Sequence, residues 1–220
     1  MDSINYKELY TLQDKVLGIV FSVENEFYLT GGTCISRFYH EKRYSDDLDF
    51  FTHNSGRFSF AVKNIKTELQ QNYQVDTEVD SKNFIRFKIN KLLQIDFVND
   101  TAYRYKDLVI KENGYVIDNI ENILSNKITA VIGRDNPKDI FDIYLIYRFY
   151  DFDWKEILEA AQKKASFMHE DLIIRLKSFP FSLLETIRMV DEKFLDNFQK
   201  EFSLIIEEIN SKKMHFHENS

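Results

Sequence analysis

Gly31-Gly32-Thr33 and Asp47-Leu-Asp49 are the residues in this chain whose types and spacing could carry chemistry. The run Phe27-Tyr-Leu-Thr ends abruptly at Gly31-Gly32, and an amphipathic segment through Cys34, Ile35, Phe38 and Tyr39 begins at once. This pattern predicts a strand turning sharply into a helix. Paired glycines permit backbone angles that other residues resist and let a ligand approach the main chain. The free N–H groups at the helix start then face any anion held in the turn, a phosphate above all. In the second stretch Asp47 and Asp49 alternate with Leu48 and Phe50, so on a strand both carboxylates project from one face and the apolar pair from the other. Two like charges held that close call for a cation. Asp46, by the same parity, falls on the Leu48 side and is set aside.

The elements that must position these groups can be read in order. Residues 6–24 carry Leu9, Leu12, Val16, Leu17, Val20 and Val23 at near-helical spacing, an opening helix laid on a sheet. After the acidic strand, Ser55-Gly56 marks a break, and Phe58, Ala61, Val62, Ile65 and Leu69 predict a second helix to about Asn72. Strand-like runs follow at Tyr73–Val79, Phe84–Ile89 and Leu92–Val98, then an extended piece from Leu108 to Ile117 broken by the turn Glu112-Asn-Gly114. From Ile120 onward the pattern is helical. One helix ends near Gly133, the next starts with Asn136 as N-cap and Pro137 at the first helical position, and further helices over 154–210 are broken near Pro180. The tail after Asn210 is expected to fray. The expected class is α+β: a mixed sheet with packed helices over residues 1–118, followed by a helical region over 119–220.

Composition narrows the classes. The hydrophobic and charged fractions, 44% and 30%, suit a globular chain with a real core rather than a disordered one. No apolar run reaches the roughly 18–20 residues of a membrane span, no leader-like segment opens the chain, and the single Cys34 permits no internal disulfide. The expectation is a cytoplasmic protein with no membrane partner, and Cys34 is read as a small core residue. A net charge of −7 gives no global attraction for nucleic acid. The histidines show no metal spacing, and His215-x-His217 lies in the tail.

Asp96 is the ionisable residue flanked by Ile95 and Phe97 in the third strand-like run. If its strand lies beside that of Asp47 and Asp49, three carboxylates meet next to the glycine turn. That set suits Mg²⁺, which takes one or two carboxylates plus substrate phosphates and, as a pair of ions, can clamp an in-line nucleotidyl displacement. Lys127, inside an otherwise apolar helix, could neutralise charge on a triphosphate, or be a surface lysine. Arg43 could pair with nearby aspartates or meet substrate. Asp139 sits where an acid interacts with a helix start, while Asp142 lies beyond that role. Neither G-x-x-x-x-G-K-S/T nor G-x-G-x-x-G is present.

Gly31-Gly32-Thr33, Arg43-x-Ser45-x-Asp47-Leu-Asp49-Phe50-Phe51, Asp96, Lys127 and Lys138-Asp139-x-x-Asp142 together resemble the AbiEii/AbiGii-type nucleotidyltransferases of abortive-infection and toxin–antitoxin systems. The resemblance spans about residues 25–148, and the order of glycine turn then DxD is its specific part. It implies the polymerase-β-like nucleotidyltransferase fold with a helical C-terminal region. By resemblance, Asp47 and Asp49 hold metals, Gly32 and Thr33 the triphosphate and Lys127 the phosphates. Asp96 helps activate the attacking hydroxyl, and Asp142 belongs with Asp139 to the family's helical motif. The implied reaction is Mg²⁺-dependent transfer of a nucleoside monophosphate from an NTP to an acceptor hydroxyl, with tRNA as a possible acceptor and an antitoxin as a partner. The alternatives are transfer to a protein or small molecule, or a non-catalytic nucleotide- or metal-binding module that acts through a protein partner.

Overall fold

Alternation of apolar and polar residues builds the sheet around which the first part of the chain is organised. The computed structural model describes residues 4–212. Its strands are β1 (Tyr28–Thr30), β2 (Asp47–His53), β3 (Val75–Asp80), β4 (Phe84–Ile89), β5 (Leu93–Asp100), β6 (Val109–Ile110) and β7 (Val116–Ile117). They form one mixed sheet in the order β3-β4-β5-β2-β1-β7-β6. β2 runs parallel to β5 and β1 parallel to β7, while the other neighbours are antiparallel. β2 buries Leu48 and Phe50, β4 buries Ile85 and Phe87, and β5 buries Ile95 and Phe97. The Phe97 ring meets those of Phe27, Phe50 and Phe87 at centroid separations of 5.2, 5.4 and 5.6 Å. The buried stripes of two helices, α1 (Tyr6–Val23) and α3 (Phe58–Leu69), complete this core.

The same helix α1 fixes the approach to β2. The buried Gln13 donates from Nε2 to the Ser45 carbonyl at 3.0 Å, and Ser45 N–H donates to the Tyr10 hydroxyl at 3.1 Å. Tyr6 donates to Asp46 at 2.7 Å, which accounts for the third acid of that run. A short helix, α2 (Gly31–Phe38), follows β1 directly and buries Cys34 and Ile35. These elements form one compact unit, which runs through Tyr39 and resumes over Tyr44–Thr101 and Asp107–Asn119. At one margin of the sheet lies β3, exposed along Asp76–Asp80 and interrupted by a register shift between Thr77 and Val79.

The second unit comprises His40–Arg43, Ala102–Lys106 and the chain from Ile120 onward. Its helices are α4 (Ile120–Gly133), α5 (Pro137–Phe149), α6 (Trp154–Lys164), α7 (His169–Ser178) and α8 (Phe198–Ser211). The start of α5 follows its local signal: Pro137 opens the helix and the Asn136 side chain accepts from Lys138 N–H at 3.0 Å. After Pro180 the helical reading needs correction, because two 3₁₀ segments, Phe181–Thr186 and Glu192–Leu195, replace α-helix there. Proline lacks the N–H that a continuing helix would use. α8 continues to Ser211, one residue past the point where fraying is expected, and the rest of that tail, with His215 and His217, lies outside the described residues. No helix among the described residues is long and apolar enough to cross a membrane.

A buried ionic cluster ties this unit together. Arg43 donates through Nε and Nη2 to the two oxygens of Asp142, both at 2.8 Å. Lys127 Nζ lies 2.7 Å from Asp142 Oδ2 and 2.9 Å from Asp139 Oδ1, and Arg134 donates to Asp139 Oδ2 at 2.7 Å. Burial opposes ionisation of both acids, yet Arg43 and Lys127 hold Asp142 below the usual carboxylate range, and Lys127 and Arg134 do the same for Asp139. Burial likewise works against the Lys127 ammonium, but Asp142 and Asp139 raise its pKa above the ordinary lysine value.

Removing one member of such a cluster strands the others. Lys127→Met should therefore cost about 3–5 kcal/mol. Arg134→Ala, whose side chain is 58% exposed, should cost at most about 1 kcal/mol by urea denaturation. The depressed acids stabilise the fold above their unfolded pKa of about 4, and that contribution is lost as pH falls through their folded values. The raised Lys127 contributes fully below about pH 10.4 and loses its contribution as pH rises through its folded value. Urea midpoints across pH should decline at both ends, with the acid limb shallower in Asp142→Asn.

Candidate active site

β1 ends at Thr30, and the chain turns into α2 through Gly31, whose φ of +73° lies in the left-handed region. A second constraint also demands glycine here. A Cβ at position 31 would sit 2.5 Å from Asp49 Oδ2 and 3.4 Å from its Cγ. The Asp49 carboxylate thus lies against the backbone of the turn, and Gly32, half-buried, follows in the first turn of α2. Thr30 stands at the N-cap position but makes no capping bond. Its hydroxyl donates instead to Asp118 Oδ2 at 2.7 Å, so the first-turn N–H groups of α2 lack the usual side-chain acceptor from the N-cap. Thr33 is fully buried, with its hydroxyl bonded to Ser45 Oγ at 2.8 Å and to the Asp47 carbonyl. It fastens the helix start to the first residue of β2.

A row of polar side chains crosses the sheet on the face opposite the core. Thr30 is in register with Asp49, Asp49 with Asp96, and Asp96 with Arg86. Asp47 lies two residues earlier on that face of β2, in register with Gln94. Arg86 grips Asp96 with both arms, Nε to Oδ1 at 2.7 Å and Nη2 to Oδ2 at 2.6 Å, while Gln94 Nε2 lies 3.4 Å from Oδ2. The hydrogen bond to Asp96, reinforced by the charges of Asp96, Glu78 and Asp47, raises the guanidinium pKa. The strand pairing expected from the sequence therefore brings Asp47, Asp49 and Asp96 onto one face. Among the described residues, however, no group of three or more acids, histidines or cysteines is arranged to hold a metal ion. Asp96 is instead engaged in a bidentate ion pair.

Asp47 and Asp49 are the residues that could hold a divalent ion. Their donors are carboxylate oxygens, the set preferred by hard cations that complete their shell from water and substrate phosphates. Gly31 and Gly32 offer main-chain approach to an anion beside them. Arg43, Lys127 and Asp142 belong to the buried cluster of the second unit, and Asp139 does not cap α5 with its carboxylate but pairs with Lys127 and Arg134. Two residues escaped the sequence reading. Arg86 stands ten positions before Asp96 in a run of strict alternation, a hairpin spacing that could have signalled the pair. Asp118 is fully buried, accepts from Thr30, and lends its carbonyl to the Tyr39 hydroxyl at 2.7 Å, with nothing local in the sequence to mark it.

Comparison with known proteins bears on what this arrangement serves. Residues 19–217 match the profile of the family described as "Nucleotidyl transferase AbiEii toxin, Type IV TA system". A protein of Aquifex aeolicus, aq_aa25, is 29% identical over 181 residues, covering 80% of this chain and 82% of its own. Among solved structures, JHP933 of Helicobacter pylori superposes with a TM-score of 0.58 at 20% identity, over 96% of this chain and 94% of that one. MenT4, a nucleotidyltransferase toxin of Mycobacterium tuberculosis, does so with a TM-score of 0.51 at 13% identity, over 71% of this chain and 63% of that one. The two structures share the fold, the profile spans nearly the whole sequence, and the chain belongs to the AbiEii family of nucleotidyltransferase toxins.

Proposed function

We propose that this nucleotidyltransferase is Mg²⁺-dependent and transfers a nucleoside monophosphate from an NTP to a hydroxyl of RNA, with a tRNA end as the acceptor, within an abortive-infection system that a cognate antitoxin restrains. The observation that carries the reading is the contact between Asp49 and the Gly31 backbone, which sets a carboxylate beside a turn suited to phosphate. Asp47 and Asp49 would hold the divalent ion, which when bound supplies neutralisation of charge on the triphosphate. Gly31, Gly32 and the first-turn N–H groups of α2 orient the phosphate chain, and Thr33 keeps that turn in register with β2.

The acceptor oxygen attacks the α-phosphorus, the bond from that phosphorus to the β-phosphate bridging oxygen breaks, and pyrophosphate leaves. Asp96, one strand over from Asp49, is assigned the hydroxyl proton. Arg43, Lys127 and Asp142 support the reaction by holding the second unit together, since each is buried and ion-paired there.

Incubation of the purified protein with α-labelled NTPs, Mg²⁺ and total tRNA should place label in the RNA, and chelation by EDTA should abolish it. Label recovered in a protein or a small molecule instead would replace the RNA acceptor, and no transfer with any nucleotide would overturn the reading. Asp47→Asn and Asp49→Asn should each lower the rate by about a thousandfold or more, as loss of a metal-holding group does, while melting temperatures stay near wild type. Gly31→Ala forces a side chain into left-handed backbone at about 1–2 kcal/mol and displaces Asp49. Activity should fall at least about tenfold, well beyond the effect of Gly56→Ala, where nothing lies within 4 Å.

A further inference from the structure

Arg86 occupies the end of the polar row that begins at Thr30, and its position carries an inference that rests on the reading of Asp47 and Asp49 as the reaction centre. Three facts bear on it. Asp96 is flanked across the sheet by Asp49 on β2 and by Arg86 on β4. Both of its oxygens accept from the Arg86 fork at 2.7 and 2.6 Å. The Arg86 side chain is 32% exposed and that of Asp96 11%, so the cation is the more solvent-accessible member of the pair. A cross-strand ion pair kept only for stability would be served equally well away from other acids. This one lies within electrostatic reach of Asp47 as well.

We propose that Arg86 is a positioning residue that keeps both oxygens of Asp96 engaged in the resting protein, beside the Asp47–Asp49 pair, and that phosphate oxygens of the bound NTP draw its guanidinium off, freeing Asp96 to face the acceptor hydroxyl. A guanidinium fork matches phosphate as well as carboxylate, so the exchange keeps its charge paired throughout. The third acid is thereby withheld until the triphosphate is seated. A water molecule placed beside Asp47 and Asp49 before that meets no ready base.

The test uses the full chain. Binding of Mn²⁺ without nucleotide is followed by electron paramagnetic resonance, and binding of a non-hydrolysable NTP by calorimetry, in wild type, Arg86→Gln and Arg86→Lys. Arg86→Gln should tighten Mn²⁺ binding about tenfold, because Asp96 becomes available, and weaken nucleotide binding about tenfold through loss of the fork on phosphate. Arg86→Lys, which keeps the charge without the fork, should shift both in the same directions by about threefold, and serves alone if Arg86→Gln does not fold. In an Asp96→Asn background the Mn²⁺ effect of Arg86→Gln should vanish. Mn²⁺ and nucleotide affinities that stay within about twofold of wild type in the folded variants would overturn the clamp. Mn²⁺ binding that survives Asp47→Asn would instead sink the underlying site, which keeps the two failures apart.

Discussion

Like charges do not gather on one strand face without something to hold them, and here the holding is done by an absent side chain. Asp49 can press its carboxylate against the β1–α2 turn only because residue 31 carries no Cβ and tolerates a positive φ. The rest of the first unit serves that contact. Gln13 and Tyr10 of α1 pin Ser45, Thr33 ties the helix start to Asp47, and the Phe97-centred core keeps β2 and β5 in register. A one-residue slip of that register would send Asp47 and Asp49 into the core and Leu48 and Phe50 into water.

The second unit solves a related problem by the opposite means. Its buried acids sit below the normal carboxylate range despite desolvation, because three cations surround two anions. Such a cluster is costly to assemble and costly to break once one partner is removed. Substitutions at Lys127 or Asp142 that abolish toxicity would therefore need a measurement of folding beside them.

Legibility followed the range of the interaction. The glycine turn, the alternation of Asp47 and Asp49, the Asn136-Pro137 start and the Glu112-Asn-Gly114 turn are signalled within a few residues, and each appears where the pattern puts it. Asp96 comes beside Asp49 only if its strand neighbours that of Asp47 and Asp49, a condition that no local pattern sets and that the parallel pairing of β2 with β5 meets. The Arg86–Asp96 pair is announced by neither residue alone and emerges only when β4 and β5 are taken together as a hairpin. The sequence left Lys127 open as a surface residue and Asp139 as a cap, since the contact joining Arg43 to Asp142 spans 99 positions and no local pattern announces it. Asp118 is a second such case, an acid inside the protein whose partner Thr30 is 88 positions away.

The outer strand β3 has its own implication for how the molecule behaves in company. It runs along the margin of the sheet with Asp76, Glu78 and Asp80 exposed and a register shift between Thr77 and Val79. A second copy seeking to add its own strand there would bring matching carboxylates face to face along a kinked backbone. At the other margin β6 offers only two residues. The sheet thus discourages its own extension, a property that favours separate molecules over fibrils when the protein accumulates.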